Sequence, residues 1–177
     1  MCMETNTELA WRPILVGGVF NAVNPSVYEA RTNPVPIKAL YYQKDLQDWA
    51  RYRGIKIGWP EVFPVNSVKA MRGAFLAIEK ECIGRSARKV FEAYWGELRD
   101  ISKDTVLRSV VNAVGLDESE FFDAIAMQKY KDKLRNNTEE LVERGGYGTP
   151  TIFVNETNMF FGQDRLSLVR KALEEAK

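Results

Sequence analysis

The chain has 177 residues, 45% of them hydrophobic and 28% charged, and its 25 basic side chains against 24 acidic ones leave a formal net charge of +1. That length fits one domain or one domain with a large insertion, and the charge balance offers no electrostatic pull toward nucleic acid or a membrane surface. There is no histidine, and the two cysteines, Cys2 and Cys82, form no C-x-x-C pair; Ser-His-Asp and Cys-His systems, most zinc sites and dithiol redox chemistry are thereby excluded. No apolar run is long enough to span a bilayer and Met1–Glu8 lacks a signal-like apolar core, so the expectation is a soluble, cytoplasmic protein whose partner is a small molecule.

Residues 8–18 read as a strand. Leu9, Trp11, Ile14, Leu15 and Val16 crowd apolar side chains ahead of Gly17-Gly18, and Pro13 assigns them to an edge or a strand end. Residues 21–36, rich in Asn, Pro and Ser, read as a loop. Pro36 fits the first position of a helix that runs to about Arg53 and stops at Gly54. Ile55 to Pro64 is an irregular connector.

From Val65 the spacing of Val68, Met71, Phe75, Ile78 and Cys82 predicts a helix, which Gly84 ends. A second helix follows over about Ser86–Leu98, burying Val90, Phe91, Tyr94 and Trp95. A third opens at Ser102 or Asp104 and stops at Gly115. Asp117-Glu118-Ser119-Glu120 has capping-box form and starts a short fourth. A long charged helix covers about Gln128–Arg144, with Tyr130, Leu134 and Leu141 inward. Then Gly145–Pro150 forms a loop, Thr151–Asn155 and Met159–Phe161 a hairpin, and a final helix starts at Asp164. A block of helices between β elements predicts an α/β fold with an all-helical subdomain inserted; an all-α chain with minor β ends is the alternative.

Two segments can carry chemistry. In Gly146–Thr151, Pro150 begins a buried strand after a glycine turn. Sequence alone favours a trans Thr149–Pro150 bond; a cis bond turns the Thr149 backbone outward, where it can pair with an extended, peptide-like ligand. In Phe161–Arg165, Asp164 either caps the final helix or accepts from a ligand ammonium while the helix N-terminus holds a carboxylate. Arg165 orients Asp164 or is a surface charge. Lys38 lies in a first helical turn, where a cation opposes the macrodipole; a solvated lysine is the plainer reading, as a turn residue is for Asn24. Trp11, Tyr28, Trp59, Trp95 and Tyr147 line an aromatic pocket or pack in the core.

In this order the sequence resembles the 2-hydroxychromene-2-carboxylate isomerases, relatives of the kappa-class glutathione transferases and of the DsbA-type thioredoxin fold. The matching stretches are Glu8-Leu-Ala-Trp-Arg-Pro13, Phe63-Pro-Val-Asn-Ser67, Tyr94-Trp95 followed by Arg99-Asp-Ile-Ser102, and Leu134-Arg-Asn-Asn-Thr-Glu-Glu140. The most specific are Gly146-Tyr-Gly-Thr-Pro-Thr151 and Phe161-Gly-Gln-Asp-Arg165.

The resemblance implies a thioredoxin-like domain over residues 8–62 and 145–177, with a helical subdomain over 63–144. It implies glutathione as cofactor, no metal, a small aromatic substrate and a homodimer. The reaction it implies is glutathione-dependent interconversion of the cyclic chromene and its open-chain form, in which the thiolate adds to the conjugated double bond, allows rotation and leaves. It assigns glutathione binding to Thr149, Pro150, Gln163, Asp164 and Arg165, and places Lys38 and Asn24 near the glutathione or the substrate. It also implies a first strand and a catalytic serine that supports the thiolate, ahead of the point where this sequence starts. A kappa-like glutathione transferase and a non-catalytic thioredoxin-fold remnant are the competing readings.

Overall fold

A computed structural model describes residues 1–176 of the chain. They form two compact units: Met1–Val27 together with the residues from Arg135 on, and Tyr28–Leu134. The 55–64 connector is tied to the helical residues: the Gly58 N–H donates to the Trp95 carbonyl (2.8 Å) and the Tyr94 hydroxyl donates to the Val62 carbonyl (2.9 Å).

In chain order the helices are α1 (Cys2–Thr5), α2 (Val16–Val23), α3 (Ser26–Thr32), α4 (Pro36–Arg53), α5 (Val68–Glu79), α6 (Ile83–Phe91, continued by a π-turn over Glu92–Gly96), α7 (Asp104–Ala113), α8 (Glu118–Ala126) and α9 (Gln128–Glu143). Strands β1 (Thr151–Val154) and β2 (Asn158–Phe161) follow, then a 3-10 turn over Gln163–Arg165 and helix α10 (Leu166–Glu175).

Several expectations meet their local signals. Pro36 opens α4 and Gly54, at φ 64°, closes it. Asp117 caps α8 by accepting from the Glu120 N–H at 2.7 Å. Glu120 does not return the bond but pairs with Lys80 (2.7 Å), so only half of the capping box is used. Gly145, at φ 84°, follows α9.

Others are corrected. Residues 8–18 make no strand, because their backbone is engaged by α9: the Leu15 N–H donates to Thr138 Oγ1 (3.0 Å) and the Asn137 amide donates to the Pro13 carbonyl (3.0 Å). Gly17-Gly18 lie inside α2, and Gly18 approaches α9 so closely that a Cβ there would stand 3.1 Å from the Thr138 methyl. The 21–36 loop contains the end of α2 and all of α3. Gly84 sits in the first turn of α6; the break comes earlier, where Glu81 takes φ 54°.

In the helical unit, Phe75, Leu76, Leu107, Val110, Val111, Phe121, Ile125 and Tyr130 are buried. Helices α5 and α8 pack closely, and a Cβ on Gly73 would lie 2.1 Å from the Phe121 ring. Tyr130 stacks on Phe75 (6.0 Å) and donates to Glu79 Oε2 (2.5 Å), with Lys133 also on Glu79 (3.2 Å). Burial and the Glu79 carboxylate push the Tyr130 phenol up to about 12, and its hydrogen bond holds Glu79 below its usual range.

In the other unit the sheet among the described residues is the antiparallel β1–β2 hairpin, in register Thr151–Phe161, Ile152–Phe160, Phe153–Met159 and Val154–Asn158. Val154 packs with Val169 and Ala172 of α10, flanked by Met1, Ile152, Phe160 and Leu173.

Candidate functional site

The site is built at the open end of the hairpin. After Gly145 the chain turns tightly against α9: a Cβ on Gly146 would stand 2.3 Å from Leu141, so no side chain fits there. Gly148 is packed in the same way, 2.9 Å from the Phe161 ring. The Thr151 hydroxyl donates to the Gly148 carbonyl (2.8 Å) and closes the turn. Within it the Thr149–Pro150 bond is cis rather than trans, and both residues are exposed.

The Pro150 carbonyl accepts from the Gly162 N–H at 3.0 Å. This bond continues the ladder one residue past the Thr151–Phe161 pair and joins the turn to the residue that precedes Gln163-Asp164-Arg165. Gly162 takes φ 97°, and a Cβ there would lie 2.7 Å from Asp164 Oδ1; the carboxylate folds back over the glycine. Asp164 caps neither the 3-10 turn nor α10, since neither has a side-chain cap bond. Its carboxylate is instead paired with Arg165 Nη1, both side chains being exposed.

Asn24, between α2 and α3, reaches the same turn: its amide donates to the Tyr147 carbonyl at 3.1 Å. The Tyr147 ring lies 4.5 Å from that of Phe161. Lys38 is exposed in the first turn of α4, in the other unit. The remaining aromatics separate: Trp59 and Trp95 meet at 6.4 Å with Phe63 beside both, while Trp11 is half-exposed. Sequence reasoning missed the roles of Gly162 and Phe161 and the tie from Asn24 to Tyr147. The last spans 123 residues, and no local pattern announces it.

The donor set suits a zwitterionic peptide: an exposed turn backbone at Thr149, the amide of Gln163, and a carboxylate already biased by a guanidinium. No helix of the described residues is long and apolar enough to cross a membrane.

The sequence matches the DSBA-like thioredoxin domain over residues 3–174. It is similar to the 2-hydroxychromene-2-carboxylate isomerase of Pseudomonas sp. (strain C18), 30% identical over 139 residues that make up 77% of this chain and 63% of that protein. It is also similar to glutathione S-transferase kappa 1 of Homo sapiens, 26% identical over an alignment 188 positions long that covers 96% of this chain and 79% of that one. Among solved structures, that of a 2-hydroxychromene-2-carboxylate isomerase superposes with a TM-score of 0.73 over 99% of this chain and 84% of the other, at 22% identity. The chain spans 63% of the Pseudomonas isomerase's own length, just under two thirds. Its mostly helical fold around a small hairpin is the DsbA-like thioredoxin fold, and the chain belongs to the DSBA-like thioredoxin domain family.

Proposed function

We propose that this chain binds glutathione and, with it, interconverts 2-hydroxychromene-2-carboxylate and its open-chain benzylidenepyruvate form by cis-trans isomerisation, in the breakdown of aromatic compounds. The observation that supports this reading is the bond from the Gly162 N–H to the Pro150 carbonyl (3.0 Å), which joins the Thr149-Pro150 turn to the residue that precedes Gln163-Asp164-Arg165. Similarity to the isomerases supports the choice of reaction.

Glutathione has an extended backbone and, at its γ-glutamyl end, an ammonium and a carboxylate on one carbon. The Thr149 backbone pairs with the extended part as a neighbouring strand would. Asp164 accepts from the ammonium, and the N–H groups that open α10 take the carboxylate. Gln163 adds an amide contact and Arg165 holds Asp164 in place. Asn24 belongs to the surroundings of the ligand. When bound, glutathione supplies the thiolate nucleophile for the substrate's conjugated double bond; the residues assigned here bind and orient it. A homodimer and a cytoplasmic location complete the proposal.

The test is the chromene assay with and without glutathione, run beside conjugation of a generic aromatic halide. Interconversion that requires glutathione is the expected result. The second reading, a kappa-like transferase, is favoured by the longer stretch shared with the human kappa enzyme, 96% of this chain. Conjugate that accumulates without isomerisation would select it. No turnover and no glutathione binding by calorimetry would overturn both.

A further inference from the structure

Asn24 sits at the corner between α2 and α3, and all its polar groups are used. Its N–H donates to the Phe20 carbonyl (3.1 Å) and closes α2, and its carbonyl accepts from the Val27 N–H (3.3 Å). Its side-chain Oδ1 accepts from the Ser26 hydroxyl (3.0 Å), and its Nδ2 donates to the Tyr147 carbonyl (3.1 Å). An asparagine amide can present either end to a partner. The Tyr147 carbonyl settles the choice, because it can only accept: the NH2 must face it, which leaves Oδ1 to accept from the Ser26 hydroxyl.

The Tyr147 carbonyl lies two residues ahead of Thr149, in a turn with few other restraints of its own: the Thr151 hydroxyl on Gly148 and the Gly162 N–H on Pro150 act on its far side. Phe20, one turn of α2 before Asn24, also lies against this turn, 3.9 Å from where a Gly148 Cβ would be. We infer that Asn24 is a positioning residue: through the Tyr147 carbonyl it fixes the Gly146–Pro150 turn so that the Thr149 backbone faces the ligand, and Ser26 steadies the other end of its amide. The inference deepens the proposed glutathione site and rests on that reading for the ligand, though not for the hold on the turn.

Asn24→Asp tests it in the full chain. Aspartate keeps the shape, the corner conformation and the acceptor for Ser26, but sets a second acceptor against the Tyr147 carbonyl. The expected result is a five- to tenfold rise in the KM and dissociation constant for glutathione, roughly 1 kcal/mol for a lost hydrogen bond, with kcat at saturating glutathione retained. Amide exchange at Gly148, Thr149 and Thr151 speeds up while the rest of the unit keeps its protection. Ser26→Ala shows the same pattern more weakly. If Asn24 is only a helix corner, Asn24→Asp leaves both binding and turn exchange as in the wild type, which overturns the inference. Faster exchange throughout the unit overturns it as well. A wild-type chain that binds no glutathione refutes the functional reading, and exchange at the turn alone then decides: faster in Asn24→Asp upholds the hold on the turn, unchanged exchange ends it.

Discussion

Gly73→Ala adds one methyl group where α5 crosses α8, and it should destabilise the protein although alanine is the better helix former. The substitution gains about 1 kcal/mol in helix propensity. Against that, the new Cβ would stand 2.1 Å from Phe121 Cε2 and 2.5 Å from Cζ, far inside van der Waals contact. The ring cannot easily withdraw. Phe121 is 4% exposed and packs edge-on to Phe122 at 5.3 Å. Overpacking of this kind costs about 1–3 kcal/mol and occasionally more; less the propensity gain, a net loss of about 1 kcal/mol is expected, or roughly 2–4 °C in Tm for a chain of this size. Urea and thermal melts read it directly. Gly84→Ala is the control: it too is helical, but nothing lies within 4 Å of its Cβ position, so stability should hold or rise by up to about 1 kcal/mol. Phe121→Leu in the Gly73→Ala background should recover part of the loss through direct coupling. A Gly73→Ala protein that melts at or above the wild type would refute the close α5–α8 contact.

Tyr130→Phe should cost about 1.5–3 kcal/mol near neutral pH, the range for a buried hydrogen bond to a charged group. Its pH dependence has two limbs. The phenol, raised from 10.0 to about 12, contributes stability that is complete below pH 10 and is lost as pH climbs through 12. Glu79, held low chiefly by the phenol's hydrogen bond, contributes stability present above the ordinary carboxylate range and lost as pH falls through and below it. Denaturation midpoints across pH should show both limbs flattened in Tyr130→Phe; curves parallel to the wild type would contradict the pairing. Asp117→Ala removes the α8 cap and should cost about 1 kcal/mol, measured by the same melts. Asp164→Ala should weaken glutathione by roughly tenfold or more through loss of a charge-assisted bond. Calorimetry on the still-folded variant checks it, and an unchanged affinity would remove Asp164 from the site.

What could be read from the sequence follows how far each cause reaches along the chain. Pro36, Gly54, Asp117 and Gly145 act within a turn of their own positions, and α4, α8 and the end of α9 lie where they place them. Helix α3 escaped because Ser26–Thr32 buries no residue, so it has no apolar period to find. Residues 8–18 misled for the opposite reason. Their apolar side chains look like a strand, but a strand needs a partner edge, and their backbone groups are taken by Asn137 and Thr138 of α9. At the site, the turn and the Phe161–Arg165 segment could each be recognised singly. The bonds that assemble them could not: Gly162 to Pro150 spans a hairpin, and Asn24 to Tyr147 spans most of the chain.

Those bonds make the hairpin a lever fastened at both ends. At its closed end the Arg144 guanidinium lies 3.7 Å over the Phe153 ring and donates to the Glu156 carbonyl (2.7 Å), while holding Glu140 on α9 (3.1 Å). At its open end, Leu141 of α9 abuts Gly146, and Asn24 grips Tyr147. Arg144 and Leu141 are less than one helical turn apart, so one short stretch of α9 sets both the angle of the hairpin and the height of the turn above it. The segments of the proposed site are exposed and carry little packing of their own. Their geometry therefore depends on these few long-range contacts, and changes at Leu141, Gly146 or Asn24 should disturb binding more than their distance from the ligand would suggest.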